Sequence, residues 1–207
     1  FNWLAGDKMS REPRLSLFSL NEDQNADFLH SKFSDQELKI YKNLSRRNTL
    51  KTSSVGRIFD AVASLLGLCD INSYEGEGAI LLENAIDGYD LDNLKSYTNN
   101  LREGPIPTQE IWNGIYKDYC IGQDSGNIIS NFLFTLARLI FELADQHQIK
   151  KIACSGGVFQ NTTLVDMMID LVPEGVKLYL NRDLSPNDEN IAFGQIFYHL
   201  HDMDQKQ

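Results

Sequence analysis

The sequence predicts an α/β protein with parallel strands and additional helices, and three observations carry that prediction. The apolar run Ile152-Ala153-Cys154 stops at Ser155-Gly156-Gly157, and a helical pattern begins within a few residues. A second strand-like run follows in GVKLYLN, and the polar loop Leu184-Ser185-Pro186-Asn187 then leads through Asp188 into another helix. A long helical pattern precedes the first strand. Two strands separated by a helix need a crossover connection, which makes them parallel and the crossover right-handed.

The elements can be justified in order. Residues 1–50 are polar and helical in pieces. Pro13 opens a helix through Leu20, because its fixed φ and missing N–H suit a first turn. Ser34-Asp35-Gln36-Glu37 has the form of a capping box and starts a helix through Leu38, Tyr41 and Leu44. Over residues 52–68, Val55, Ile58, Phe59, Val62, Ala63, Leu65 and Leu66 form one wide apolar face. Ser53 or Ser54 serves as the cap, Gly67 as the stop, and Asp60 interrupts the polar edge.

Tyr74-Glu75-Gly76-Glu77-Gly78 precedes a helix expected over residues 79–85, and residues 87–107 read as turns and irregular pieces. Residues 108–119 form a helix. The strongest helix spans residues 128–147, with Ile128, Ile129, Phe132, Leu133, Leu136, Leu139, Ile140 and Leu143 at spacings of three and four. Asp124 or Ser125 caps it. Gly194 in the last helix costs about 1 kcal/mol relative to alanine, which predicts a close backbone approach there. Phe132, Phe134, Phe141, Phe193 and Phe197 fall at helical spacings and are expected in the core.

The net charge of −10 comes with scattered Lys and Arg, of which only Arg46-Arg47 are adjacent. A nonspecific nucleic-acid binder needs a basic stripe to release counterions, so nucleic acid is excluded as a partner. An anionic substrate must instead be held by local N–H groups, a metal or a few cations. No run of 18 apolar residues is present, so no membrane span is expected, and no signal-peptide pattern opens the chain. A start at Phe1 suggests a fragment. Cys69, Cys120 and Cys154 are odd in number and far apart, with no C-x-x-C. They read as small buried hydrophobes in a reducing, cytoplasmic compartment.

The candidate site lies in the second half. A glycine pair between a strand and a helix lets backbone N–H groups face outward at the positive end of the helix dipole, a geometry that binds phosphate. Asn161 adds an amide that can donate and accept. Asp188 places a carboxylate at the same sheet edge, where ligands sit in parallel α/β sheets. The plain readings stand beside these. Gly156-Gly157 is also a tight turn without a ligand, Asp188 a helix-start residue, Asp60 a solvent-facing residue, and Tyr74-Glu75 an ordinary turn. Ser155-Gly156-Gly157 is also similar to the PP-loop of ATP pyrophosphatases, but Val158-Phe159-Gln160-Asn161 does not continue that motif.

Four motifs, TSSVGRIFDAVASLLGL, YEGEGAILLE, SGGVFQN and SPNDENIAFGQ, occur in this order. With Arg11-Glu12-Pro13-Arg14 upstream, they resemble the C-terminal, Kae1-like domain of the hydrogenase maturation carbamoyltransferases, the HypF family. The resemblance runs from about Asp7 to about Leu200, nearly the whole chain. It implies an actin-like, sugar-kinase-like (ASKHA, RNase H-like) fold, of which this chain is the C-terminal lobe. Residues 1–50 would be a helical lead-in and residues 51–207 the nucleotide-binding lobe.

It further implies that carbamoyl phosphate and ATP form carbamoyl adenylate, and that the carbamoyl group passes to the C-terminal cysteine of a HypE-like acceptor protein. Dehydration there gives the cyanide ligand of nickel-iron hydrogenase. By the same resemblance, Gly156, Gly157 and Asn161 hold nucleotide phosphates and neighbouring groups, and Asn161 takes the catalytic role. Gly56 and Asp60 belong to the helix that contacts the ribose, and Tyr74, Glu75 and Gly76 line the nucleoside pocket. Asp188 ligates a divalent metal, whether zinc, iron or magnesium.

The chain departs from the family's pattern in several places. It has no H-x-x-x-H, and the expectation is that the upstream lobe carrying that motif is absent. His199 and His201, two apart on a helix, diverge too far to close on one ion. Glu77 stands in place of Gln, Leu133 in place of His, and Thr49 in place of Pro. Two other readings stay open: a related lobe without turnover that serves as a nucleotide-binding or regulatory module, and an ATPase of the same superfold.

Overall fold

The computed structural model describes residues 1–21, 26–98, 101 and 104–204. They form two compact units, Phe1–Leu136 and Ala137–Gln207, which are described separately.

The first unit is helical. Helices α1 (Lys8–Arg11) and α2 (Pro13–Leu20) follow each other closely, with Pro13 at the start of α2 as expected. Helices α3 (Asp27–Lys32) and α4 (Asp35–Arg47) come next. The capping box on α4 is present: Glu37 N–H donates to Ser34 Oγ at 3.3 Å, and Ser34 N–H donates back to Glu37 Oε2 at 2.9 Å. Phe18, Phe33 and Tyr41 form an aromatic cluster with ring centroids 5.6–6.1 Å apart. Arg14 pairs with Glu12 and Glu37 at 2.8 Å each and lies 4.6 Å over the Phe33 ring, so it joins α2 to α4.

Helix α5 (Val55–Leu65) packs between α2 and α6 (Glu77–Asn84). It starts at Val55, the first residue of its apolar pattern and three residues after the start of the expected segment, for a nonlocal reason. Lys51 bridges antiparallel to Asn2, Thr52 N–H donates to Phe1 C=O, and Ser54 N–H donates to Thr52 Oγ1, which keeps residues 51–54 extended. Ser54 occupies the cap position without a side-chain bond, and Gly67 ends the helix region at φ +75°. Asp60, expected on the polar edge, is 2% exposed. Helix α6 begins two residues before its pattern, because Gly76 takes the left-handed conformation and Glu77 accepts from Ser73 Oγ at 2.8 Å.

Helix α7 (Thr108–Cys120) precedes α8 (Ser125–Gln146), which Asp124 caps through Asn127 N–H. At 22 residues, α8 is long and apolar enough to cross a membrane. Ile128, Ile129, Phe132 and Leu133 on it are fully buried within the protein.

In the second unit, β1 (Lys151–Ala153) pairs parallel to β2 (Lys177–Tyr179) across α9 (Thr162–Leu171), in the register Ile152↔Leu178. The α/β class is therefore present, with a sheet of two strands among the described residues. Leu164, Met167 and Met168 on α9 are buried. Helix α10 (Ile191–Asp204) corrects two expectations. Phe193 and Phe197 are 54% and 64% exposed and stack on each other, because an i, i+4 spacing defines a face without specifying what covers it. At Gly194 nothing lies within 4 Å of an added Cβ, so the expected close approach is not there.

Candidate functional site

The predicted residues divide between the two units. Gly56, Asp60, Tyr74, Glu75 and Gly76 lie in the first, and Gly156, Gly157, Asn161 and Asp188 in the second.

In the first unit, the stretch after α5 turns back past α1. Asn72 N–H donates to Arg11 C=O at 2.8 Å, and Asn72 Nδ2 donates to Ser10 C=O at 3.1 Å. Asn72 Oδ1 accepts from Gly78 N–H at 3.3 Å, which fixes the start of α6 to the same point. These bonds frame a cavity of about 500 Å³ lined by Ser10, Arg11, Arg57, Asn72, Ser73, Tyr74 and Glu75. Tyr74 is half-exposed at its mouth, and Gly76 makes the turn behind it at φ +81°. A side chain on Gly56 would meet only an ordinary contact, so sterics do not demand glycine there.

Asp60 stands beside this cavity. Its Oδ2 lies 2.6 Å from Arg57 Nη1, an ion pair that is off the line of a good hydrogen bond. Burial pushes its carboxyl up to about 6, opposed by Arg57 and by a hydrogen bond with Asn72. Sequence reasoning missed Ser10, Arg11, Arg57, Asn72 and Ser73. The available signals were Arg11 in the Arg-Glu-Pro-Arg motif and Arg57 one turn before Asp60.

In the second unit, the glycine turn and the serine–proline loop come together. Gly156 N–H donates to Pro186 C=O at 2.6 Å, and Gln160 Nε2 donates to Ser185 Oγ at 3.4 Å. The Gly156 N–H expected to face a ligand is therefore committed to the neighbouring loop. Gly156 holds φ +112°, a conformation that strains any side chain. A 3₁₀ turn over Gly157–Gln160 separates it from α9.

Asn161 is the cap of α9: its Oδ1 accepts from Leu164 N–H at 2.8 Å. Its Nδ2 is buried and has no hydrogen-bond partner among the described residues. A buried amide N–H without an acceptor is costly, about 1–3 kcal/mol, and fits a place where a ligand oxygen arrives. A nucleotide phosphate or carbamoyl oxygen suits that vacant donor.

Asp188 opens the 3₁₀ turn Asp188–Asn190 that runs into α10, with Asn187 capping it through Glu189 N–H at 3.2 Å. It is exposed, and among the described residues no three His, Cys, Asp or Glu cluster to hold a metal. One exposed carboxylate does not make a metal centre. Cys154 is buried and its thiol is pushed up by burial, which makes it a poor nucleophile. Cys69 is buried as expected, whereas Cys120 is exposed.

The comparisons agree in direction. Residues 1–195 match the family described as carbamoyltransferase, Kae1-like domain, second subdomain. The chain is 34% identical over 148 residues to the carbamoyltransferase HypF of Synechocystis sp., covering 70% of this chain and 19% of that protein. It is 29% identical over 210 residues to the probable carbamoyltransferase HypF of Methanocaldococcus jannaschii, covering 93% and 26%. The crystal structure of full-length HypF in the phosphate- and nucleotide-bound form superposes with a TM-score of 0.75 at 28% identity, covering 92% of this chain and 26% of that one. The structure of T. kodakarensis HypF, at 24% identity and a TM-score of 0.72, shares the fold. The chain thus spans about a quarter or less of the length of these relatives.

Proposed function

This chain belongs to the carbamoyltransferase Kae1-like family, second subdomain, and from that premise we propose that it is the nucleotide-binding segment of a carbamoyltransferase that activates carbamoyl phosphate with ATP. The product is carbamoyl adenylate, a mixed anhydride with AMP. Its carbamoyl group passes to a cysteine of a HypE-like acceptor protein in the cytoplasm, toward the cyanide ligand of nickel-iron hydrogenase.

The observation that carries this reading is the buried, unpartnered Nδ2 of Asn161 just after the glycine turn. A preorganised donor in a desolvated place stabilises charge on an incoming oxygen more than water does, because it needs no reorientation. Asn161 is fixed in orientation by its own bond to Leu164, so Nδ2 keeps one direction. The first unit, taken by itself, has in the cavity beside Asp60 a place suited to a nucleoside. Asp60, just behind the Arg57 wall, is the proposed acceptor for a ribose hydroxyl, Tyr74 offers a ring face to the base, and Glu75 shapes the mouth. Asp188 would contribute a single carboxylate to a divalent ion.

The test is ATP–pyrophosphate exchange in the intact polypeptide. The reading requires exchange that depends on carbamoyl phosphate. Nucleotide binding without any such exchange would instead support a binding or regulatory module.

A further inference from the structure

Arg57 is absent from every expectation drawn from the motifs, yet it touches three parts of the first unit. It lines the 500 Å³ cavity, donates from Nη1 to the Met9 carbonyl of α1 at 3.2 Å, and stands 2.6 Å from Asp60 Oδ2. Its side chain is mostly buried, and that of Asp60 almost wholly so. An isolated carboxylate in such a place would take up a proton, because burial penalises the charged form far more than the neutral one. A neutral Asp60 would be a poor double acceptor for two vicinal hydroxyls.

The remaining neighbours do little to keep it charged. Asn72 contributes one hydrogen bond. Cys69, Asp70 and Glu77 stand around this corner, Asp70 paired with Lys32 at 2.8 Å, and Arg11, Tyr74 and Glu75 line the cavity itself. Burial raises the Cys69 thiol, with the charge of Glu77 and then those of Asp60 and Asp70 adding to it. Gly78 of α6 closes the other side, where an added Cβ would come within 3.4 Å of Asp60 Oδ1. Arg57 is thus the one cation bearing on Asp60 among the described residues.

We infer that Arg57 is a positioning residue for the nucleoside cavity, holding the Asp60 carboxylate ionised and fixed through its 2.6 Å ion pair while Met9 C=O fixes the guanidinium in turn. Asp60 Oδ2 is buried and accepts no hydrogen bond among the described residues, so the ion pair leaves one of its lone pairs unused. This inference rests on the nucleoside reading of the cavity for its purpose, but not for its physical content.

The experiment follows the Asp60 carboxyl ¹³C resonance, identified by its loss in Asp60→Asn, across a pH titration of the wild-type chain, Arg57→Lys and Arg57→Gln. Adenosine is titrated into each in parallel. The wild type should titrate at about 6, where burial places the carboxyl. Arg57→Gln raises that midpoint by about 1–3 units, so Asp60 is half or more protonated at pH 7. Arg57→Lys raises it part of the way, because its ammonium replaces the charge without the planar fork, and it serves alone if the glutamine variant does not fold. Adenosine affinity at pH 7 falls about two- to ninetyfold in Arg57→Gln, following the ionised fraction of Asp60, and recovers as the pH is raised past the variant's own midpoint. An unchanged Asp60 midpoint in the folded variants overturns the inference. A wild type that ignores adenosine while the midpoints move as stated rejects the nucleoside reading and leaves the role of Arg57 toward Asp60 standing.

Discussion

The ring of Tyr97 occupies the space that a side chain on Gly114 would need: a Cβ there would stand 2.6 Å from Tyr97 Cδ1. Tyr97 has little room to give. Its N–H donates to Thr135 Oγ1 and its hydroxyl to Asp118 Oδ2, each at 2.9 Å, and Lys95 Nζ pairs with the same carboxylate. In Gly114→Ala, the helix-propensity gain of about 1 kcal/mol is outweighed by overpacking of about 1–3 kcal/mol. Urea midpoints should therefore fall for Gly114→Ala alone and rise for the same change made in a Tyr97→Ala background. A fall of equal size in both backgrounds would exclude the ring as the cause.

Asp60 should leave a signature in the pH dependence of stability. Its folded value of about 6 stands above the usual 3.8, so the native state holds the proton more tightly than the unfolded chain. Between those values the native state binds more protons, so the contribution of Asp60 to stability falls as pH rises from about 4 to 6 and is level above. A shift of about two units corresponds to roughly 3 kcal/mol. The free energy of unfolding of Asp60→Asn minus that of the wild type should therefore rise by about that amount from pH 4 to pH 7. A difference that stays flat over this range contradicts the assignment.

Asn161 has a structural duty as well as a proposed chemical one. Asn161→Ala removes the cap on α9 and should cost about 1 kcal/mol. Asn161→Asp keeps an acceptor for Leu164 N–H and should leave the thermal midpoint near that of the wild type. If the two variants melt alike, the 2.8 Å cap is not what Asn161 contributes to stability.

Asp188→Ala should change stability by no more than about 0.5 kcal/mol, since the side chain is exposed and Asn187 provides the cap. Calorimetric titration of the 207-residue chain with zinc or magnesium should find weak binding before and after the substitution, because no donor set surrounds the carboxylate among the described residues. Tight binding that Asp188→Ala abolishes would show a metal centre built around this residue.

The sequence was legible where local chemistry decides and opaque where distant segments meet. Pro13, the Ser34–Glu37 box and the Asp124 cap act within one turn, and each is where its pattern placed it. The parallel pairing of β1 and β2 followed from the helix between them. That residues 52–54 of the expected segment stay outside α5 depends on Asn2 pairing with Lys51, a contact no local window contains. The cavity joins Ser10 and Arg11 of α1, Arg57 of α5 and the residues from Asn72 to Glu75, so no single spacing announces it. The Gly156 N–H was misjudged for the same reason, since its acceptor Pro186 comes from a loop thirty residues on.

The most direct test concerns the vacant Nδ2 of Asn161. Carbamoyl-phosphate-dependent ATP–pyrophosphate exchange is measured in the intact polypeptide, wild type beside Asn161→Asp, which keeps the cap acceptor and exchanges the donor for a carboxylate oxygen. A hydrogen bond to a charged oxygen is worth about 1.5–3 kcal/mol, so exchange should fall about 10- to 150-fold with the thermal midpoint unchanged. Exchange at the wild-type rate in a normally folded Asn161→Asp protein would contradict the account.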